Sequence, residues 1–232
     1  MTDYKVLSGT STGLTLNSGD DLSIYSGGTA SSTYVSSGAV ALVYSGGIAD
    51  QTTVLSGGEL VLLPGAAASD TTGPYADIIS SGAVVFASGA DIVDVARGTY
   101  YGPAVGLGEV EFVLPSGHAN ATSVSGGFEF VASGGIASGL AVASGGFVVV
   151  SSGGSATGAL VGSGGTLMAL PGADTAGAVA AGGLIISTGV AVITENAGIV
   201  VVPVDGPRAA IAPGVVADVD GGIAVAISAA FD

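Results

Sequence analysis

The chain of 232 residues contains no cysteine and no tryptophan. Without cysteine, a disulfide scaffold and thiolate metal sites are excluded. Basic residues are almost as scarce: Lys5, Arg97 and Arg208 stand against 18 acidic residues, for a formal net charge of −15. Three cations cannot neutralise a phosphate backbone and the acidic excess repels it, which excludes nucleic acid as a partner and disfavours anionic lipid. Charged residues make up only 9% of the chain and hydrophobic ones 48%, the reverse of a disordered composition. Glycine occurs 42 times but not at every third position, so a collagen helix is excluded. The opening residues "MTDYKVLSG" lack the basic-then-apolar order of a classical signal peptide. The expectation is a trimmed leader, a different export route or an internal location. Between Asp174 and Glu195 lie 20 uncharged residues, long enough to suggest a membrane helix. They include four glycines and repeat a pattern found elsewhere, so strands are expected there and membrane insertion is not.

What is present is a repeat. A glycine corner begins at Ser18, Ser37, Ser56, Ser81, Leu107, Ser125, Ser144, Ser163 and Ala181, at spacings of 19, 19, 25, 26, 18, 19, 19 and 18. After each corner comes an apolar run such as "VALV", "ELVL" or "FVVV", then a second "SGG" or "PG" corner, then a small-polar run ending in Val or Leu. The runs are too short for helices and rich in β-formers, and glycine supplies the backbone conformation of the corners. One unit cannot bury its own apolar face, whereas stacked units can. The fold class is all-β: a right-handed parallel β-solenoid of about 10–11 coils, roughly 50 Å long at ~4.8 Å per coil. The whole of 1–232 reads as one domain, with regular coils over 17–183, insertions near 69–79 and 93–106, and an irregular end or cap over 184–232 containing Pro203, Pro207 and Pro213.

Position within the repeat assigns the faces. Ala30, Ala49, Ala68, Ala119, Ala137 and Ala156 recur at one phase and read as an inward file with room for a methyl only. Ser31, Asp50, Ser69, Asn120, Ser138 and Thr157 follow as an outward polar file. Leu42, Val61, Phe112, Phe130, Val149 and Met168 read as the core spine. One residue earlier, Glu111 and Glu129 give way to Val148 and Leu167, and on this assignment that file faces out.

The stretch "SGGTASSTYVSSGAVALVYSGGIADQTTVLSGGELVL" resembles the strand-loop-strand repeats of bacterial autotransporter passengers, the AIDA-type adhesins and the antigen-43 group among them. The resemblance runs from about Asn17 to Gly183. It implies a right-handed solenoid exported to the cell surface, acting in adhesion, cell aggregation and biofilm formation, with sugars carried on Ser or Thr in some members. Residues 184 to 232 do not look like a membrane-anchoring barrel.

Candidate sites follow from these placements. The two insertions carry Tyr75, Tyr100 and Tyr101 beside Gly-Pro pairs, with Arg97 close by. Loops on a rigid scaffold often carry recognition, and Tyr and Arg make good contacts, so these four residues form the candidate ligand or partner patch. From Phe130 to Ala173 there is no charge, so Val148 and Leu167 are the candidate self-association residues. Glu111 and Glu129, 18 apart, should stack on adjacent coils. On an outward file they are two solvated carboxylates; otherwise one holds its proton or a cation sits between them. The "SGD", "SGAD" and "PGAD" corners are too scattered for a cage, and no metal or cofactor is assigned. His118 reads as an exposed corner residue, no Ser-His-Asp set can be assembled, and Asn120-Ala121-Thr122 matches a glycosylation sequon of low information.

The function expected from sequence is a non-enzymatic, extracellular bacterial module for adhesion and self-association. Its partners would be itself, laterally or end to end, and cell-surface glycans or proteins. A subunit stacking into an extracellular filament or sheath is the alternative, and a carbohydrate-active β-helix enzyme the distant one.

Overall fold

A computed structural model describes residues 2–74, 77–87, 92–187, 190–193 and 199–202, with backbone alone for 92–94, 190–193 and 199–202. Each regular turn places one strand on each of three faces. Val40–Val43, Ile48–Asp50 and Thr53–Val54 make up one such turn. The next begins with Glu59–Leu62, parallel to Val40–Val43 and in register, Glu59 opposite Val40 and Leu62 opposite Val43. Turn upon turn, the first, second and third faces become sheets of five, four and three strands in an N-terminal stack. A second stack, from Thr99 to Ile186, repeats the arrangement, and the protein is a β-solenoid of about nine turns.

The corners explain why the turns close at this length. At the first corner Gly57 has φ +81°, a conformation costly for any residue with a Cβ. Gly38 N–H donates to Gly57 O at 2.6 Å, so the corners themselves hydrogen-bond up the stack. A methyl on Gly57 would stand 2.7 Å from Ser37 Oγ of the turn below. The same contact recurs at Gly38 on Ser18, Gly46 on Ser26, Gly65 on Ser45 and Gly153 on Ser133. A third corner, between the second and third faces, is not visible in the glycine pattern. There Ser32, Gln51, Asp70 and Ala121 adopt φ of 55°, 48°, 48° and 59° at the place where other turns have Gly13, Gly139 or Gly158.

Two interior clusters fill the stacks. In the first, Leu16, Val35 and Val54 come from the third face, Ala30 and Ala49 from the second, and Leu22, Ala41 and Leu60 from the first. In the second stack Ala119, Ala137 and Ala156 continue the alanine file, and Val105, Val124, Val142 and Val161 the third-face file. Ala68 keeps its register opposite Ala49 but is exposed, because Ala67–Ser69 is the last second-face strand of its stack and no described strand pairs with its other edge. The polar file faces out: Asp50 accepts hydrogen bonds from Ser31 Oγ at 3.2 Å and Ser69 Oγ at 2.6 Å, the turns below and above.

The first face is inverted relative to the sequence expectation. Val113, Val131, Val148, Val150 and Leu167 point into the second interior. Leu42, Val61 and Phe112 belong to a separate cluster with Leu63, Ile79, Val84, Phe86 and Leu114. Phe130, Val149 and Met168 belong to another with Phe128, Phe147 and Leu170. The expected core spine therefore lies on the outer side of the sheet. A strand alternates sides at every residue, so a phase error of one exchanges the faces completely. Runs such as "FVVV" are apolar on both sides and give no warning.

The middle of the chain also departs from a regular rod. Ile78–Ile79 still pairs in parallel with Leu60 and Val61. Ala83–Phe86 then runs antiparallel to Ile92–Ala96 on one side and to Val110–Val113 on the other. The segment 93–106 is thus no protruding insertion. It supplies the return strand of this hairpin and then Thr99–Tyr101 and Ala104–Val105 on the second and third faces. This hairpin replaces a coil, which accounts for part of the difference from ten or eleven. Beyond Ile186, Val190–Ile193 pairs antiparallel with Ile199–Val202, and the cap expected around Pro203, Pro207 and Pro213 lies outside the described residues. No helix among the described residues is long and apolar enough to cross a membrane, a statement that does not bear on β-barrels.

The corner geometry predicts substitutions of opposite sign. Gly57→Ala should lower stability by about 1–2 kcal/mol, read as a lower urea midpoint with unchanged slope. Ala121→Gly, at a left-handed position, should raise it by a few tenths to about 1 kcal/mol.

Candidate functional site

Of the four residues expected to form a partner patch, Tyr75 lies outside the described residues. The others do not act as one surface. Tyr100 is in register with Ala119, at an inward position of the strand that opens the second stack, and is half-buried at that end. Tyr101, in register with Asn120, faces outward and is 73% exposed. Arg97 is exposed and close enough to Glu59 of the first stack to oppose the rise in that carboxyl's pKa caused mainly by burial. What remains accessible is the pair Arg97 and Tyr101 near the junction of the stacks.

Val148 and Leu167 are not surface residues. Both are fully buried in the second interior, for the phase reason given above. The charge-free coils nevertheless expose an apolar file, on the third face. Ala104, Ser123, Ala141, Leu160 and Val179 follow one another in register up that sheet, all on its outer side. Leu160 is 52% and Val179 55% exposed. In the first stack the same file holds Thr15, Tyr34 and Thr53. The outer third face thus changes from polar to aliphatic along the chain, and sequence reading attached that change to the wrong file.

The same inversion puts Glu111 and Glu129 inside. They occupy adjacent parallel strands, directly opposite each other, and neither has any exposed surface. Val85 flanks Glu111 and Val148 flanks Glu129 in the same file. None of their carboxyl oxygens has a hydrogen-bond partner, and neither does Thr122 Oγ1, itself 1% exposed. Burial pushes the Glu111 carboxyl up to about 8; the Thr122 hydroxyl is near enough to favour the charged form slightly without reaching hydrogen-bond geometry. Burial, and then the neighbouring Glu111, hold the Glu129 pKa well above the usual carboxylate range. The reading of two solvated carboxylates is therefore overturned. The spacing of 18 announced the stacking, but only the strand phase decides which side of the sheet it is on.

Other polar groups have structural roles. Asp20 accepts Thr2 N–H at 2.7 Å and Asn17 N–H at 3.1 Å, and these backbone donors, Asn17 first, hold its pKa below the ordinary value. Asp77 accepts Gly57 N–H at 3.0 Å. His118 is exposed at the start of a second-face strand. Thr122 of the sequon is buried, and Asn120 lies in the outward file between the second and third faces, half-buried. Among the described residues no group of three or more His, Asp or Glu converges on a metal position.

No family model matches this chain, and no curated protein does. Among solved structures it is similar to a TibC-catalysed hyper-glycosylated fragment of TibA, with 31% identity over 79% of this chain and a TM-score of 0.36. The chain spans 63% of that fragment. At that score the two shapes do not superpose well enough to transfer geometry.

The inward placement of the first-face file has a direct check. Leu167→Ala should cost about 2–5 kcal/mol in urea unfolding, the range for a leucine in a packed core. An exposed interface leucine would cost less than about 0.5 kcal/mol.

Proposed function

We propose that this protein is an extracellular bacterial adhesion module that self-associates side by side through the outer third face of its second stack. The observation that carries the reading is the in-register file Ala141, Leu160 and Val179, aliphatic and exposed on the outer side of the sheet. Exposed apolar files of this kind mark interfaces. The occupant that suits it is a second copy. At a net charge of −15 two copies repel over most of their surface, and the turns from Phe130 to Ala173 are where no charge opposes approach. A ladder with one apolar side chain per strand spacing also matches its own repeat, so each added rung strengthens the contact without new chemistry. The sequence resemblance to autotransporter passengers supports the cell-surface setting. Arg97 and Tyr101 are the proposed contact residues for a foreign partner, a cell-surface glycan or protein, because both are exposed beside the junction.

Sedimentation of the purified chain over a concentration series tests the lateral contact. Wild type should associate, while Leu160→Lys with Val179→Lys should stay monomeric over the same range with its β-rich circular dichroism intact. Equal association of the two proteins removes the third face from consideration. In a cell-binding assay, Arg97→Ala with Tyr101→Ala should reduce binding several-fold without altering self-association, and undiminished binding removes that pair.

A further inference from the structure

Two carboxyl groups with no exposed surface, opposite each other in adjacent strands and without hydrogen-bond partners, are an unusual element in a core otherwise made of Val, Leu and Ala. The adhesion reading does not use them. The groups that face them are few. The second-face strands His118–Asn120 and Ile136–Ser138 present Ala119 and Ala137 to the interior, and the third-face strands present Val124 and Val142. Thr122 and Leu140 stand at the entry to the third face. Val85 and Val148 flank the pair on the first face, and Asp94 lies in register with Val85 one strand further along. Among the described residues no Lys, Arg or His is buried, and no cation acts on either carboxyl, so no described protein cation neutralises the pair.

Three states are open to such a pair. Two bare carboxylates at strand spacing, surrounded by aliphatic groups, have both the desolvation cost and the repulsion against them. A hard metal ion takes six or more oxygens, and the four carboxylate oxygens and one hydroxyl here fall short of that unless water enters a site with no exposed surface or backbone carbonyls leave their strand bonds. Protons satisfy the charge at no cost in volume. We propose that Glu111 and Glu129 are a proton-holding pair that makes the second stack pH-sensitive: their two turns are closed while both are neutral and loosen when the pair ionises. The sign follows from linkage. A carboxyl whose pKa is higher in the fold than in the unfolded chain adds no penalty below the unfolded value of about 4.5; the penalty grows as pH rises and, for Glu111, levels off near pH 8. Over that window the folding equilibrium should fall by up to about tenfold per pH unit for each carboxyl that stays protonated.

The experiment compares the full chain with Glu111→Gln/Glu129→Gln by urea unfolding from pH 5 to pH 8.5. The shared surface charge affects both alike. Wild type should lose stability steeply with rising pH relative to the double variant, and hydrogen exchange at pH 8 should rise at Val110–Val113 and Phe128–Val131 while Val40–Val43 is unchanged. Parallel stability profiles overturn the proposal. So does recovery of wild-type stability at pH 8 on adding calcium alone, which would mean a metal site. A measurement on wild type stands even if the variant fails to fold: at pH 6.5 its infrared spectrum should contain the C=O stretch of a protonated carboxylic acid, and absence of that band overturns the proposal as well.

Discussion

The constraint on which this structure depends is that, within each parallel stack, a residue's cross-strand neighbour is its own counterpart one turn away. Parallel in-register pairing puts Ala119 against Ala137 and Ala137 against Ala156, Val124 against Val142, Glu111 against Glu129. Like meets like along each file. For methyl and isopropyl groups this is an advantage, because one packing solution serves every turn. Hydroxyls and amides gain too, as the hydrogen bonds into Asp50 from both sides illustrate. For ionisable groups it is a liability, because a charge is repeated against itself at strand spacing. The low charged fraction of the chain, 9%, suits such a stack. Where an inward file does carry carboxyls, the stacking leaves them one inexpensive state, the neutral one.

The same constraint accounts for what could and could not be read from the sequence. The alanine file was legible because a position that admits only a methyl leaves the same residue at the same phase, and Ala30, Ala49, Ala119, Ala137 and Ala156 are all buried in register. The faces of the longest strands were not legible. There both files are apolar, Val149 beside Val148 and Met168 beside Leu167, so hydrophobicity marks the strand and not its side. One clue was available. Counted back in twos from Ala137 through the second corner, the inward phase reaches Val131 and Glu129, the correct side; counted forward from Val124 it does not, because that first corner is one residue shorter than the one after Val142.

Two further features escaped for different reasons. The third corner is built in part from Ser32, Gln51, Asp70 and Ala121, so searching for glycine could not find it, although all four share the left-handed backbone of Gly139 and Gly158. The hairpin at Ala83–Phe86 was hidden because "SSGAVVF" has the composition of any regular corner and strand, and composition is blind to direction. Only the spacings of 25 and 26 set that turn apart. A longer interval read as room for a loop was instead room for the chain to reverse.

The proposed contact and the proposed switch belong to the same turns. Glu129 lies in the turn made of Phe128–Val131, Ile136–Ser138 and Ala141–Val142, and Ala141 is the first rung of the exposed aliphatic file. An aliphatic ladder can match a second copy only while its rungs keep register, and register at Ala141 is held by the strand bonds of the turn that contains Glu129. Ionisation of the pair would therefore act on the outer face through the shared backbone, with no titratable group in the contact itself. On this argument lateral association is strongest in acid and weakens toward alkaline pH. General loss of surface charge in acid favours association too, but that effect is spread over all 18 acidic residues and survives replacement of the pair by glutamine, whereas the coupling through Ala141 does not.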